Sequence, residues 1–497
     1  MEIKKVKIQT IFISKPQWEA GWPYIGYDNE QMKKFILDHL NQKFPDIQFS
    51  SNEVITNYGK ELIEKIKEDI EKTDGVLIYT IGHHGDPGIV EAGIEIIKIG
   101  KPTILINIIY GGDHTFTKIY TKIKGENLPV YPLSSQNIED FDETIEIMHN
   151  ILQIRGKKIL IYASESKDIN WKTILDLVNP ERKRIMMDHP EFIEQVGKMS
   201  GEKYEFYTDL DGFDQAHQWI KDENKYQENL KEIFGVELQK ENPDVILSYY
   251  DKVDKEEAKK IAKKWINNAK KVQPTEKTII NSAKLYLAFK KILTEKKGEI
   301  LAPDCGTLLL LGKMPAYPCM AFFELTNERV YCICESDLDC AISYLFGLYL
   351  TNRPGFVSNH TLDLLNNQIT YLHCVAANRL YGVNGPSADF DIVYHGETHI
   401  IGASPRVKFP IGQLATTIKI SIFERKIAIR QGKIIDNIID DRACVSKMLV
   451  EGDTKKILDN YDWDTFGWHR VTFVGDWKDK FIIGAKILGL EVVEEDK

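Results

Sequence analysis

Two carboxylates, Glu335 and Asp337, stand in an otherwise apolar stretch that precedes a predicted helix at 341–350. A carboxylate in such surroundings is costly to bury unless it is paired, protonated or bound to a metal ion. Both residues are therefore candidates for catalysis, and Glu335 also for metal binding. The S-x-x-D spacing of Ser336 and Asp339 offers a simpler interpretation, a capping box at the start of the helix.

A second group of potential metal ligands lies further along the chain. His395, Glu397 and His399 alternate with Gly396 and Thr398. If this segment is a strand, the three side chains share one face and supply two imidazoles and a carboxylate, which is a credible set of zinc ligands. Such a site would make the protein a zinc hydrolase. The alternative is an exposed polar strand face.

Three other histidines occupy places where a substrate could be bound. His83 and His84 lie in a glycine-rich turn after the predicted strand Gly75–Tyr79, and ligands of parallel sheets meet such strand ends. These two residues would contact a substrate or simply face solvent. His373 ends an apolar run that begins at Ile369, and it would be a substrate-binding group or a satisfied core histidine.

Three motifs occur in an order that is typical of one enzyme family. Cys334-Glu-Ser-Asp337 is followed by an apolar helix and by Phe356-Val-Ser-Asn359, and Gly467-Trp-His-Arg-Val-Thr472 lies near the C-terminus. In order and separation they resemble the metal-dependent L-fucose isomerases and their L-arabinose isomerase relatives. The resemblance covers the chain from about residue 300 to the end, and before that it is only architectural.

The resemblance implies an aldose–ketose isomerase acting on a free sugar by a cis-enediol route. The substrate would be a 6-deoxy or 6-substituted hexose, of the fucose or sulfoquinovose type, or a pentose. Glu335, Asn359 and His469 would hold one Mn²⁺, or another divalent ion such as Co²⁺ or Mg²⁺. Glu335 would also be the base that moves a proton from C2 to C1, while the ion stabilises charge on the two oxygens. Apart from the resemblance, Trp468 offers an aromatic platform for a sugar or a core side chain, and Arg470 a cation for an anionic or strongly polar substrate or a surface side chain.

The chain departs from the family pattern at one position. The family's second acid, an aspartate, falls at Asn359, whose amide can offer an oxygen to a metal but cannot carry a proton. Asp337, Asp363 or His360 would have to replace it. The other possibility is a catalytically silent, sugar-binding relative, and the sequence leaves these alternatives open.

The resemblance also implies an assembly. In the fucose isomerases the loop that matches the turn at His83 and His84 reaches into the site of a neighbouring subunit. We therefore expect the N-terminal domain to contribute to another chain's site. The expected assembly is a closed homo-oligomer, a trimer or hexamer.

Length, charge and hydropathy restrict the other possibilities. A formal net charge of −10 argues against nucleic acid as the main partner, since phosphate binding needs a basic surface. No apolar run approaches the ~18 residues of a membrane span, so we expect no membrane partner. The seven cysteines all fall at or after Cys305, which indicates reduced thiols and a cytoplasmic protein.

Alternating strands and helices in the 497 residues predict an α/β protein. We expect two doubly wound parallel-sheet domains over residues 1–155 and 156–300. A C-terminal α+β domain with a small β-barrel is predicted over residues 301–497, and it would carry the metal and the substrate. The predicted elements include a strand at Asp244–Ser248 and a hairpin turn at Arg430–Lys433.

Overall fold

A computed structural model of the chain describes residues 5–83, 87–163, 222–310, 312–396 and 401–497. The chain divides into two compact units. The first comprises Met1–Arg155 and Asp479–Val492, and the second comprises Gly156–Lys478 and Val493–Lys497. Among the described residues, no helix is long and apolar enough to cross a membrane.

The first unit contains a five-stranded parallel sheet. Its strands are β1 (Val6–Ile13), β2 (Ile47–Ser51), β3 (Gly75–Thr80), β4 (Thr103–Ile108) and β5 (Val130–Ser135), in the order β2-β1-β3-β4-β5. Every residue of β3 is buried, as expected for a strand that is covered on both faces. The parallel sheet is confirmed, whereas the doubly wound arrangement of the helices stays a prediction. The helices are Asn29–Lys43, Lys60–Glu71, Pro87–Ile97, Asp113–Ile123 and Asp142–Leu152, with a 3₁₀ turn at Ile138–Phe141.

The second unit contains a smaller parallel sheet. It is formed by β6 (Lys158–Tyr162), β7 (Glu237–Lys240), β8 (Ile300–Pro303) and β9 (Tyr331–Cys332), in the order β7-β6-β8-β9. Because β8 and β9 join β6, this sheet crosses the domain boundary that was predicted at residue 300. The helices of this part of the chain are Glu223–Phe234, Asp244–Asp251, Lys255–Asn268, Glu276–Lys296, Cys305–Leu310 and Cys319–Asn327.

The strand predicted at Asp244–Ser248 is wrong, because these residues begin a helix that runs to Asp251. A short apolar run is ambiguous between strand and buried helix. The residues before it decide the outcome. Pro243 takes the N-cap position, and the Asn242 side chain accepts a hydrogen bond from the N–H group of Asp244 at 2.9 Å.

The predicted β-barrel is confirmed in the C-terminal region. Six antiparallel strands close into a barrel in the order β14-β17-β10-β11-β16-β15, with β15 pairing back to β14 and β18 added beside β15. The strands are β10 (Phe356–Asp363), β11 (Gln368–His373), β14 (Leu414–Ser421), β15 (Lys426–Asn437), β16 (Ser446–Glu451), β17 (Arg470–Val474) and β18 (Glu491–Glu494). A separate antiparallel pair consists of β12 (Phe390–Val393) and β13 (Ser404–Val407). The helices here are Leu338–Thr351, Thr454–Asp459, Trp463–Phe466 and Lys478–Ile487.

The hairpin turn predicted at Arg430–Lys433 is wrong. These residues lie inside β15, and Arg430 pairs with Thr417 in the ladder to β14. The reversal between β14 and β15 falls instead at residues 422–425, where Arg425 has φ +52°. Gly432 is not a turn residue: it lies where an added Cβ would collide with the backbone of Glu451 on β16.

One aromatic ring of the barrel lies against the helix Leu338–Thr351. Phe473 of β17 lies against Gly347 of the helix and against Gly355, which precedes β10. A Cβ added at either glycine would fall inside contact distance of the Phe473 ring. The two glycines therefore allow the helix that follows the site-bearing turn to approach the barrel closely.

We expect Gly347→Ala to lower the free energy of unfolding by about 1–3 kcal/mol, because the added methyl group overpacks the Phe473 ring. Urea unfolding monitored by circular dichroism measures the change. Gly306→Ala is the matched control, since it also lies in a helix but has no atom within 4 Å of the added Cβ. Equal effects of the two substitutions would contradict the packing role of Gly347.

Candidate functional site

The turn that carries Glu335 has a strained backbone. Cys334–Ser336 forms a 3₁₀ turn directly after β9. Glu335 adopts φ +60° and ψ +20°, and Ser336 follows with φ +51°. Left-handed backbone costs a non-glycine residue roughly 1–2 kcal/mol, and such residues cluster at functional sites. The Glu335 side chain keeps 31% of its surface exposed, so it is accessible to a ligand.

The alternative of a capping box at Ser336 and Asp339 is wrong, because the helix is capped by Asp337. The Asp337 side chain accepts the N–H of Cys340 at 2.8 Å and starts the helix Leu338–Thr351. The Ser336 hydroxyl instead donates to the carbonyl oxygen of Ala302 at 3.1 Å. The cap therefore fixes one carboxylate oxygen of Asp337 in place.

His469 lies between the two carboxylates. Its Nδ1 is 3.0 Å from Asp337 Oδ2, and its Nε2 is 3.6 Å from Glu335 Oε2. Burial alone would raise the pKa of Asp337, but Lys419 and His469 outweigh it and hold that pKa well below its usual range. The ionised Asp337 accepts the Nδ1 proton of His469, which leaves the Nε2 lone pair on the side of Glu335.

His373 completes a cluster with Glu335 and His469. One ligand atom from each of the three residues lies within 4.8 Å of the others, and the two imidazole rings are 5.6 Å apart. His373 Nδ1 is buried and has no hydrogen-bond partner. Burial lowers the pKa of His373, against the opposing effect of Glu335, and this favours the neutral imidazole that binds metals.

These three residues fit a divalent metal ion. They supply two imidazoles and one carboxylate, a set that suits zinc or a first-row transition ion better than Mg²⁺. The hydrogen bond from His469 to Asp337 is the outer-shell contact that typically orients a metal-binding histidine. His373 was predicted to contact the substrate, and its place in this cluster makes it a candidate ligand.

Lys419 neutralises Asp337 from the other side. Its Nζ lies 2.9 and 2.8 Å from the two carboxylate oxygens of Asp337 and 3.0 Å from Cys340 Sγ. Asp337, Cys340 and His469 also bring ligand atoms within 4.8 Å, but the ammonium group already fills the cation position among them. Asp337 therefore orients His469, and its carboxylate is not available as the proposed base.

A third carboxylate, Asp339, is buried beneath this salt bridge. It accepts hydrogen bonds from the Tyr226 hydroxyl at 2.8 Å and from the N–H of Ile422 at 3.3 Å. Burial raises the pKa of Asp339 to about 6, with repulsion from Asp337 acting in the same direction and Lys419 acting against both. Asp339 supports the site from behind and does not face it.

Arg470 is buried in the barrel interior, so its predicted contact with a sugar is not what the structure shows. Its Nη2 donates to Glu495 at 2.8 Å, and its Nη1 donates to the carbonyl oxygens of Gly467 and His469. Glu495 also pairs with Arg430 at 3.2 Å. Arg470 therefore fixes the segment that carries His469.

Trp468 lies in the same segment with about half of its surface exposed. Its indole N–H donates to the carbonyl oxygen of His360 at 2.8 Å, and His360 Nδ1 is 3.0 Å from the carbonyl oxygen of Trp468. The indole is held in place and remains accessible to a ligand. Burial lowers the pKa of His360 well below its usual value, assisted by Arg430 and Arg470, which argues against His360 as a proton carrier.

Asn359 lies on β10 opposite Leu372. Because side chains alternate along a strand, the regular ladder places Asn359 and His373 on opposite faces. Its role as a metal ligand stays a prediction. Asp363 is exposed at the end of β10, where it accepts hydrogen bonds from the N–H groups of Leu365 and Asn366. Asp363 therefore stabilises a turn and is not a candidate proton carrier.

The alternative zinc set is described only at His395, because Glu397 and His399 lie outside the described residues. The His395 ring packs on Tyr317 with centroids 4.6 Å apart. Its side chain also bonds to the thiols of Cys319 and Cys374. His395 is thus occupied by protein contacts and is not on an exposed strand face.

His83 lies in the first unit, and His84 falls outside the described residues. His83 exchanges backbone hydrogen bonds with Trp22 at 3.0 and 3.2 Å. Its Nδ1 is 3.0 Å from Nδ1 of His114. His114 was not among the predicted substrate-binding residues. Trp18 and Trp22 beside this loop are 76% and 54% exposed, so the loop offers an aromatic surface.

Comparison with known proteins does not identify the site. No protein-family model matches the chain, and no curated protein is a match. The chemistry of the site therefore has to come from the side chains that form it.

We expect Asp339→Asn to change how stability depends on pH. The pKa of Asp339 is about 6 in the folded chain and about 3.9 when unfolded. As pH rises between these values only the unfolded state loses the proton, so the free energy of unfolding falls, by roughly 3 kcal/mol in all. The variant should lack this fall, as urea unfolding between pH 4 and 8 would show.

The control is Asp441→Asn, which removes an exposed carboxylate. Its stability should follow that of the unmodified chain across the same pH range. If the free energy of unfolding depends on pH in the same way for the unmodified chain and for Asp339→Asn, the raised pKa of Asp339 is contradicted.

Proposed function

We propose that the protein is a metal-dependent aldose–ketose isomerase whose ion is held by Glu335, His373 and His469. The observation that carries the proposal is the cluster of these three side chains, with Asp337 orienting His469 from outside. The motifs around Glu335 and His469 resemble those of the L-fucose and L-arabinose isomerases. A divalent ion bound there would hold two adjacent sugar oxygens and stabilise negative charge on them.

Glu335 is the group we assign as the base. Its carboxylate is partly exposed, whereas Asp337 is closed off by Lys419, His469 and the helix N-terminus. Glu335 would accept the proton from C2 of the sugar and return it to C1. The O2 hydroxyl proton must also move to O1, and because Asn359 cannot carry a proton, this transfer would pass directly between the two adjacent oxygens of the sugar.

A small cavity lies beside His373. Its volume is about 20 Å³, so it has room for a water molecule and not for a sugar. The described residues that line it include no lysine or arginine, and most are small or apolar: Thr326, Cys332, Cys334, Tyr344, Gly355, Val357, His373, Val375, Ala376 and Ala377. This cavity therefore does not discriminate among a 6-deoxy hexose, a 6-substituted hexose and a pentose.

A hydrolytic zinc centre at the same three residues is the second candidate. Two histidines and one glutamate also form the usual ligand set of zinc hydrolases, with an open position for water. Hydrolysis of activated esters or amides by the zinc-loaded protein, without ketose formation, would favour it. If the protein binds the ion and a sugar but catalyses neither isomerisation nor hydrolysis, it is a catalytically silent, sugar-binding protein.

We expect removal of divalent ions by a chelator to abolish ketose formation from a neutral aldose, and Mn²⁺ or Co²⁺ to restore it. Glu335→Gln should lower turnover on the order of 100-fold or more, because the base is lost while the volume is kept. Asp337→Asn should weaken metal binding by about 10–100-fold, because it frees the His469 ring.

Ketose assays and calorimetric titration with Mn²⁺ measure these effects. Asp441→Asn is the control, since it removes a solvent-exposed carboxylate that is not part of the proposed metal cluster. Full activity after complete demetallation would refute the proposal. Metal binding that survives His373→Ala unchanged would move the third ligand elsewhere, with Asn359 as the next candidate.

We also propose that the protein is a homo-oligomer in which the loop around His83 contributes to the site of another chain. The exposed Trp18 and Trp22 support an interface at this loop. The cluster of Glu335, His373 and His469 supplies the metal side of a pocket, and a reactive enediol needs walls that exclude water.

Subunit exchange tests this assembly. Glu335→Gln and the double variant His83→Ala/His84→Ala should each be inactive, and their mixture should regain activity, because some interfaces then combine an intact loop with an intact Glu335. Sedimentation confirms that subunits have exchanged. A monomer with full activity, or confirmed exchange without recovery, would refute the shared site.

A further inference from the structure

Two cysteines meet at one end of the barrel ladder between β11 and β16. His373 pairs with Ser446 as the last pair of that ladder. Cys374 follows His373 and Cys444 precedes Ser446, so both lie just beyond the same end. Their thiols contact each other, and neither sulfur is part of a disulfide.

The two thiols differ in their access to solvent. Cys374 is buried, with 4% of its surface exposed, whereas Cys444 is partly exposed. Cys444 belongs to the irregular segment 438–445 between β15 and β16, which includes the exposed residues Asp441 and Arg442. A small oxidant can therefore reach Cys444 first, and this irregular backbone can adjust to bring its sulfur onto Cys374.

The Cys374 thiol has a second contact, with a histidine. The side chain of His395 bonds to the Cys374 thiol and also to the Cys319 thiol. A second thiol contact joins Cys305 and Cys334. That pair is held in a helix and in the strained 3₁₀ turn before Glu335, where little backbone adjustment is available. The disulfide geometry is therefore easier to reach for Cys374 and Cys444.

We propose that Cys374 and Cys444 form a reversible disulfide when the protein meets a peroxide. The Cys444 thiolate attacks a peroxide oxygen, so that an S–O bond forms, the O–O bond breaks and water leaves after protonation. The Cys374 thiolate then attacks the sulfenic sulfur, which forms the S–S bond and releases a second water. Two thiols lose two protons and two electrons, and hydrogen peroxide is reduced to two waters.

The disulfide would fix the chain directly after His373 to the loop before β16. It would also take the Cys374 sulfur out of its contact with His395. The inference rests only on the thiol contact and the ladder, and it does not require the isomerase proposal to hold.

Peptide mapping of the full-length native protein tests the disulfide. The protein is treated with hydrogen peroxide, its remaining thiols are alkylated under denaturing conditions, and a protease digest is analysed by mass spectrometry without reduction. We expect one linked pair of peptides carrying Cys374 and Cys444, lighter by two hydrogen atoms than the two thiol peptides together. Reduction with a dithiol should separate them.

Two variants separate the steps. In Cys374→Ser the sulfenic acid on Cys444 should persist and be trapped by a cyclic 1,3-dione, whereas in the unmodified chain it should not accumulate. In Cys332→Ser, which removes another buried cysteine, the link should form as before. Recovery of Cys374 and Cys444 as separate alkylated thiols, or a link between Cys305 and Cys334 instead, would overturn the proposal, and the unmodified chain alone decides this even if a variant fails to fold.

Discussion

The salt bridge between Lys419 and Asp337 is the interaction on which the rest of the site depends. Both side chains are 3% exposed, so each charge needs the other. The Asp337 carboxylate also accepts hydrogen bonds from the N–H group of Cys340, at the start of the helix, and from His469. One buried ion pair thus ties together the helix Leu338–Thr351, strand β14 and the segment before β17. Loss of Lys419 would leave a buried anion and release all three.

The parallel sheet and the barrel of the second unit each supply part of the candidate site. The parallel sheet ends at β9 and presents Glu335 from a strained turn at its carboxyl edge. The closed barrel brings in His373 from the end of β11 and His469 from the start of β17, because β10 lies between these strands and pairs with both. Closure also removes free strand edges, so the strands that carry the two histidines are each paired on both sides, although His469 itself lies just before β17.

Much of the fold and part of the site could be predicted because their signals are local. Strand and helix periodicity located the parallel sheet and the barrel, and contiguous motifs located Glu335 and His469. Lys419 could not be recognised, because a lysine in an alternating strand normally faces solvent, and only closure of the barrel turns it inward. His373 was predicted to bind the substrate or to be a core histidine, and its approach to His469 could not be foreseen because it depends on a third strand, β10. The contact between Cys374 and Cys444 depends on the ladder register, which no spacing in the sequence encodes.

The order of the barrel strands has a consequence for how the site comes into being during folding. Asp337 and the histidine it orients are 132 residues apart in the chain. Contacts of such separation form late, because the intervening loop must first lose its conformational freedom. The three candidate ligands therefore meet only after the barrel has closed. A divalent ion would act as a latch on the finished structure, and it would slow unfolding more than it would speed folding.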